Sequence, residues 1–181
     1  MGNLYAESAM RSNNLQDTFE KKLGYSDDGY TQAVDNETYK KFVEDSAGYG
    51  LAQWTYYNRK YKLLQYAKNK QKSIGDYELQ LEFLYEELKT SYKDVLNILE
   101  NATSIQEASN TVLMNFENPK NQSVSVQTKR AQYGKIYYDK FVTNKPSNES
   151  ASKEKAYAVS KTAMHIRKEP NTTSQSLDVI K

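Results

Sequence analysis

Residues 76–119 read DYELQLEFLYEELKTSYKDVLNILENATSIQEASNTVLMNFENP, and their periodicity decides the fold class. Tyr77, Leu81, Leu84 and Leu88 fall on one face of a helix predicted from Asp76 to Lys89. Val95, Ile98, Leu99 and Ala102 do the same between Ser91 and Ala102. Ser104-Ile105-Gln106-Glu107 is a capping-box pattern, in which a hydroxyl and a carboxylate satisfy free amides at a helix start. The helix it opens carries Ile105, Ala108, Val112, Leu113 and Phe116 on one stripe. Pro119 has no amide hydrogen to donate and stops it.

Outward from this core the pattern persists. A helix is predicted over about 126–142 through Tyr133, Ile136, Tyr137 and Phe141, and another from about Tyr56 to Asn69 through Tyr57, Tyr61, Leu64 and Ala67. The first third is less regular. Short helices are predicted over Leu15–Leu23 and Thr31–Val43, broken by Gly24, Gly29 and Asp35-Asn36, with a loop or short extended piece over Ser46–Trp54. The expected fold is therefore mainly α, a helical domain over residues 1–142. Residues 143–155 are polar, contain one proline and read as a linker. Residues 156–181 carry β-type residues around a turn signal at Glu169-Pro170-Asn171, and are too few to close a core of their own. This tail is expected to be either part of a second domain or loosely attached.

Composition narrows the chemistry. The 181 residues are 38% hydrophobic and 27% charged with a net charge of +2, enough apolar content for one core and without the basic excess of a nucleic-acid binder. No apolar run approaches the ~20 residues of a membrane span, and the N-terminus has neither the basic nor the apolar stretch of a signal peptide. Export would need another route or an upstream segment. The absence of cysteine removes disulfides, thiolate metal sites and cysteine catalysis. The one histidine, His165, reads as a strand residue of the tail, so a Ser-His-Asp triad or multi-histidine metal site in the helical domain is excluded. Acid–base work would fall to carboxylates, lysine or tyrosine, and no metal or organic cofactor is implied. Sixteen tyrosines stand against five phenylalanines and one tryptophan. Tyrosine offers a flat apolar face with a polar tip, suited to ring-shaped polar ligands and equally to a core and rim in a polar chain.

Glu7 lies in Gly2-Asn3-Leu4-Tyr5-Ala6-Glu7-Ser8-Ala9, where small residues permit close helix packing and Asn3 sits one turn before Glu7 on the same face. Desolvation there would raise a carboxyl pKa toward that of a general acid. The local sequence also fits a solvated helix glutamate. In Asp45-Ser46-Ala47-Gly48-Tyr49-Gly50-Leu51-Ala52-Gln53-Trp54-Thr55, two glycines allow a tight path, Gln53 offers a donor and an acceptor, and Tyr49 and Trp54 offer stacking faces. This is a sugar-binding wall or a structural turn with a core tryptophan. Glu117, in Asn115-Phe116-Glu117-Asn118-Pro119, faces either a cleft or solvent.

GNLYAES, then GYGLAQWT, then NFENP followed by a tyrosine-rich helix with Arg130, resembles the phage tail-tip lysozymes over roughly residues 1–142. More distantly the order resembles goose-type lysozymes and soluble lytic transglycosylases, where a helix-borne Glu-Ser precedes a glycine- and glutamine-containing loop. The resemblance implies a lysozyme-like fold, Glu7 as catalytic general acid, and Tyr49, Gln53 and Trp54 in the cleft loop; Glu117 is a separate candidate for substrate contact. Family members carry a helix before the Gly-Asn pair, so an N-terminal helix is expected to be missing here, and often carry Arg where Asn118 stands. The tail around Ala163–Thr173 resembles the beginning of a bacterial SH3 domain, a type that commonly binds cell-wall peptide or glycan.

The implied activity is a muramidase cutting peptidoglycan between N-acetylmuramic acid and N-acetylglucosamine. Its partners would be glycan strands and a larger phage-tail or mobile-element cell-wall assembly, its place the extracellular cell wall or a virion tail, with no nucleic acid and no membrane span. Asp45 is the leading second carboxylate, ahead of the glycine loop, though a cap or turn role fits it equally; Glu44, Asp35 and Glu37 are alternatives. Without a placed second carboxylate, the substrate's own groups would assist and give the 1,6-anhydro product of a lytic transglycosylase. A wall-binding or tail-structural protein without catalysis, or a generic helical interaction domain, would share the pattern.

Overall fold

The computed structural model describes residues 1–143 and the strands 157–160, 164–167 and 176–180. Apart from Thr143, the expected linker lies outside the described residues, as does the expected turn at Glu169-Pro170-Asn171. The chain divides into two units, Met1–Thr143 and Asn144–Lys181. The second contains an antiparallel sheet of β1 (Tyr157–Ser160), β2 (Met164–Arg167) and β3 (Ser176–Ile180) in that order, with His165 in β2 opposite Val159 and Val179.

The first unit is helical, as its periodicity predicts. It runs α1 (Gly2–Ser8), α2 (Asp17–Leu23), α3 (Asp27–Asp35), α4 (Tyr57–Lys70), α5 (Tyr77–Thr90), α6 (Lys93–Asn101), α7 (Ile105–Val112) and α8 (Val124–Tyr138). A π-helical turn over Leu113–Glu117 extends α7, and another over Asp139–Thr143 extends α8. The caps explain the boundaries. Asp76 accepts from the Leu79 amide at 2.7 Å and starts α5. Ser104 accepts from the Glu107 amide at 3.1 Å, while the Glu107 carboxylate takes the amide of Thr103 at 3.0 Å, one residue before the reciprocal partner expected of a capping box. α3 begins before the predicted Thr31, because Ser26 caps the Gly29 amide and Asp27 and Asp28 fill the first turn; Gly29 sits inside the helix it was expected to break.

Two arrangements hold the core in place. α1 crosses α8 at backbone contact: a Cβ on Gly2 would run into the backbone of Arg130 and Gly134. Gln80 of α5, fully buried, accepts from the Leu51 amide at 2.9 Å and donates to the Ser12 and Ile74 carbonyls at 2.7 and 2.6 Å, so one side chain joins three loops. Gly50 takes a left-handed φ of 74°, and a Cβ there would strike the Gln80 amide.

Asp45 belongs to this scaffold. Its carboxylate accepts from Lys60 Nζ at 2.5 Å, the Ala47 amide at 2.9 Å, and the hydroxyls of Tyr30 and Tyr39 at 2.5 and 3.1 Å. The Lys60 ammonium, held down in pKa by burial against the pull of Asp45, also donates to the Ala47 carbonyl at 2.8 Å. The expectation of Asp45 as second catalytic carboxylate is thereby corrected: every polar direction of the group is used inside the protein. Tyr49 and Trp54 are corrected likewise. Both are 0% exposed, Tyr49 between Tyr30 and Phe42 with its hydroxyl 2.6 Å from Thr31 Oγ1, Trp54 edge-on to Phe83 with its indole donating to Glu87 at 2.8 Å. Neither ring has a free face.

Asp45→Ala should leave the Lys60 ammonium buried without an anion and lower unfolding free energy by about 3–5 kcal/mol, read from the urea midpoint. Gly2→Ala should push α1 off α8 at a cost of about 1–3 kcal/mol in the same measurement.

Candidate active site

Short α1 ends at Ser8, with Ala9 in a left-handed cap, and this ending sets where Glu7 stands. The neighbouring Ser8 hydroxyl, 3.1 Å from the carbonyls of both Leu4 and Leu51, ties the helix to the 48–54 loop. Asn3, one turn earlier, donates from Nδ2 to the Ser109 carbonyl at 3.2 Å and to Glu117 Oε2 at 3.4 Å, and accepts from the Ser109 hydroxyl at 2.9 Å. The face shared by Asn3 and Glu7 therefore looks toward the end of α7 and toward α8.

Arg130 of α8 meets it there. One nitrogen of the guanidinium donates to Glu7 Oε1 at 2.5 Å; the other donates to Glu117 Oε2 at 2.6 Å and to the Asn3 carbonyl at 3.3 Å. The π-turn delivers Glu117 to this point before Asn118 leaves the helix with φ 46°. The Glu7 side chain is 21% exposed, Arg130 11% and Glu117 4%. Glu117 Oε1 is buried without a hydrogen-bond partner among the described residues. Burial raises the Glu117 pKa from 4.5 to about 7, with Glu7 adding to the rise and Arg130, Asn3 and the terminal amine opposing it. The α-amine of Met1 is itself lowered by burial, against the pull of Glu117. A proton on Glu117 removes the cost of a buried, half-solvated carboxylate.

Glu7 and Glu117 both border a cleft of about 630 Å³. Its remaining lining is polar: Asn14, Gln16, Asp17 and Thr18 from one side, Gln53, Thr55 and Tyr56 from the loop, Asn118 and Lys120 from the far rim, with Ala52 and Pro119 between them. Gln53, in a left-handed φ of 46°, donates to the carbonyls of Asn14 and Gly50 at 3.1 Å each, holding the loop closed along the cleft. Arg59 is fixed by two bonds to Glu87 at 2.8 Å and lies 4.4 Å above the Phe116 ring. Donors, acceptors and a carboxyl pair around a volume of this size suit a polyhydroxylated, amide-bearing chain.

Of the residues predicted from sequence, the fold brings Glu7, Gln53 and Glu117 to one cleft and leaves Asp45, Tyr49 and Trp54 in the interior. The alternative acids are also engaged elsewhere: Asp35 binds Ser73 and the Ile74 amide, Glu37 pairs with Lys68 at 2.6 Å, and Glu44 does not border the cleft. The sequence did not single out Tyr56, 74% exposed at the cleft edge, as the aromatic face available to a ligand. Arg130 had been only a landmark in the tyrosine-rich helix. Nothing in its local sequence joins it to Glu7, 123 positions away.

Residues 1–141 match the model of the phage tail lysozyme family, and the chain belongs to that family. No curated protein and no solved structure matches it. Membership gives a peptidoglycan-lytic, lysozyme-like role at a virion tail or cell wall. Among the described residues no helix is long and apolar enough to cross a membrane.

Because Glu117 titrates higher in the folded protein than in the unfolded chain, the folded state binds the extra proton between these values. Stability should therefore fall as pH rises from 4.5 to about 7 and level off above it. The loss amounts to about 3 kcal/mol at one pH unit per 1.36 kcal/mol. Glu117→Gln should flatten that slope in urea titrations repeated across the range.

Proposed function

We propose that this member of the phage tail lysozyme family is a muramidase, cleaving peptidoglycan between N-acetylmuramic acid and N-acetylglucosamine with Glu7 as the general acid. The observation that supports the reading is the pairing of Glu7 with Glu117 across one guanidinium at the side of a polar cleft. Glu7, the more exposed of the two, protonates the glycosidic oxygen, the C1–O electron pair leaves with that oxygen, and water adds to C1 and sheds a proton to leave the reducing end. Gln53, Glu117 and the rim around Tyr56 and Asn118 form the contacts to the sugar chain. Residues 156–181 we read as the beginning of an SH3-like wall-binding module.

A second reading follows from Asp45. A retaining enzyme needs a carboxylate at about 5–5.5 Å from the acid, and an inverting one at about 6.5–9.5 Å with room for water. The favoured candidate is spent on Lys60, and burial pushes the Glu117 carboxyl up to about 7, so it is only partly ionised at neutral pH. Assistance by the substrate's own groups, with a 1,6-anhydro product, is the alternative that this supports.

Purified Gram-positive peptidoglycan digested with the protein and with Glu7→Gln decides between them by mass spectrometry of the released sugars. Muropeptides with reducing ends, absent from the variant, are the expected result; 1,6-anhydro ends would give the transglycosylase. Binding without release by the unmodified protein would overturn catalysis in favour of a wall-binding role.

A further inference from the structure

Among the described residues Arg130 is the cation that hydrogen-bonds both acids. Its two terminal nitrogens reach different carboxyls, at 2.5 Å to Glu7 and 2.6 Å to Glu117, and each carboxyl gives it a single oxygen. The other charges around the pair are accounted for. The Met1 amine, ahead of α1, is buried and lowered in pKa. Arg59 of α4, next to Phe116, is neutralised by Glu87 of α5 through two bonds. Asp17 and Lys120 stand at the lining of the cleft, one acid and one base. Arg130 is thus the cation hydrogen-bonded to both carboxyls, with the Met1 amine a further positive charge felt by Glu117.

Three proton counts are available. With none, one buried and one part-buried anion face one guanidinium. With two, the guanidinium is buried without an anion, the costly half of a broken pair. With one, charge closes at +1 against −1. We infer that Arg130 and Glu117 are positioning residues that keep a single proton on the Glu7–Glu117 pair and let either carboxyl carry it. The inference rests on the reading of Glu7 as the acid, and it resolves a conflict in that reading. The guanidinium uses Glu7 Oε1 as an acceptor, whereas a general acid must offer a proton.

In the open cleft the proton sits on Glu117, whose Oε1 has no partner to lose, and Arg130 neutralises Glu7. A sugar chain in the cleft strips water from Glu7 and makes its charge the more costly of the two. The proton then leaves Glu117 and one is taken up by Glu7 through cleft water, with the total unchanged, while the guanidinium leans on Glu117 and Asn3. Glu7 gives that proton to the glycosidic oxygen as the C1–O bond breaks; water, or the substrate's own C6 hydroxyl, forms the new bond to C1, and the proton it sheds returns to the pair. Glu7 ends as a carboxylate with Arg130 again at its side as counter-ion.

The test uses the whole chain labelled with ¹³C at the glutamate carboxyls. Its NMR titration is followed beside the pH profile of sugar release from peptidoglycan, for the unmodified protein, Glu117→Gln and Arg130→Lys. In the unmodified protein Glu117 should titrate near neutral pH, and Glu7 should show an inflection at the same pH. In Glu117→Gln, Arg130 belongs to Glu7 alone. The shared inflection should vanish, and the alkaline limb of kcat should move to lower pH by about one unit, the size expected of coupled sites. Arg130→Lys keeps the charge but not the fork, so it should weaken the coupling and lower kcat more than it raises KM. Circular dichroism establishes that each variant is folded. Sugar release by the unmodified protein, with Glu7 titration and pH profile unmoved in Glu117→Gln, would overturn the inference alone. Shared titration without any sugar release would leave the one-proton pair standing and remove Glu7 as the acid.

Discussion

The contact on which the site depends is the backbone-to-backbone approach of α1 and α8. Gly2 lets the first helix lie against Arg130 and Gly134, and only from that distance can the guanidinium reach Glu7, Glu117 and the Asn3 carbonyl together. The two acids come from opposite ends of the helical unit. Neither helix can shift without changing the hydrogen bonds at both carboxyls, and a seven-residue helix could not hold a charged side chain in place by itself.

A second layer supports the facing wall. The 48–54 loop has almost no freedom left: Tyr49 and Trp54 exchange backbone hydrogen bonds, Gln80 holds the Leu51 amide, and Ser8 reaches the Leu51 carbonyl. Asp45 and Lys60 lock the approach to it from beneath. The loop's aromatic residues work inward as anchors while its polar and small residues face the cleft. Rigid elements carrying an exposed polar edge position a bound chain better than a mobile loop would.

The helices were legible because amphipathic periodicity is a local property. The caps at Asp76 and Ser104 and the helical spacing of Leu81, Leu84 and Leu88 need no knowledge of the rest of the chain, but the face that α5 buries is Leu79 and Phe83, with Tyr77 and Leu81 exposed. Gln53 and the two glutamates stand out in the sequence through their motifs, and the fold gathers them at one cleft. Asp45 was misread because an acid beside a glycine loop looks the same in sequence whether it faces a ligand or a buried lysine. Lys60 sits fifteen positions on, with no signal joining the two. Trp54 and Tyr49 were misread for a related reason: an aromatic residue in a turn gives no sign of which way its ring points, and here the core needed both. Arg130 and Gln80 act across long sequence separations, so only the fold reveals them.

The π-turn at Leu113–Glu117 carries a further consequence for how such a site changes over time. A π-turn is an α-helix holding one residue more than its regular winding accommodates. Removing a single residue from it would restore the ordinary winding of that turn while the segments on either side kept their register. The turn that presents Glu117 to the guanidinium would be rebuilt while the preceding turns of α7, and the core they pack on, stayed as they are. The chemistry and the architecture are thus separable by one codon in frame. Such a deletion gives a lineage a short route from a cutting protein to one that keeps the same body for another purpose.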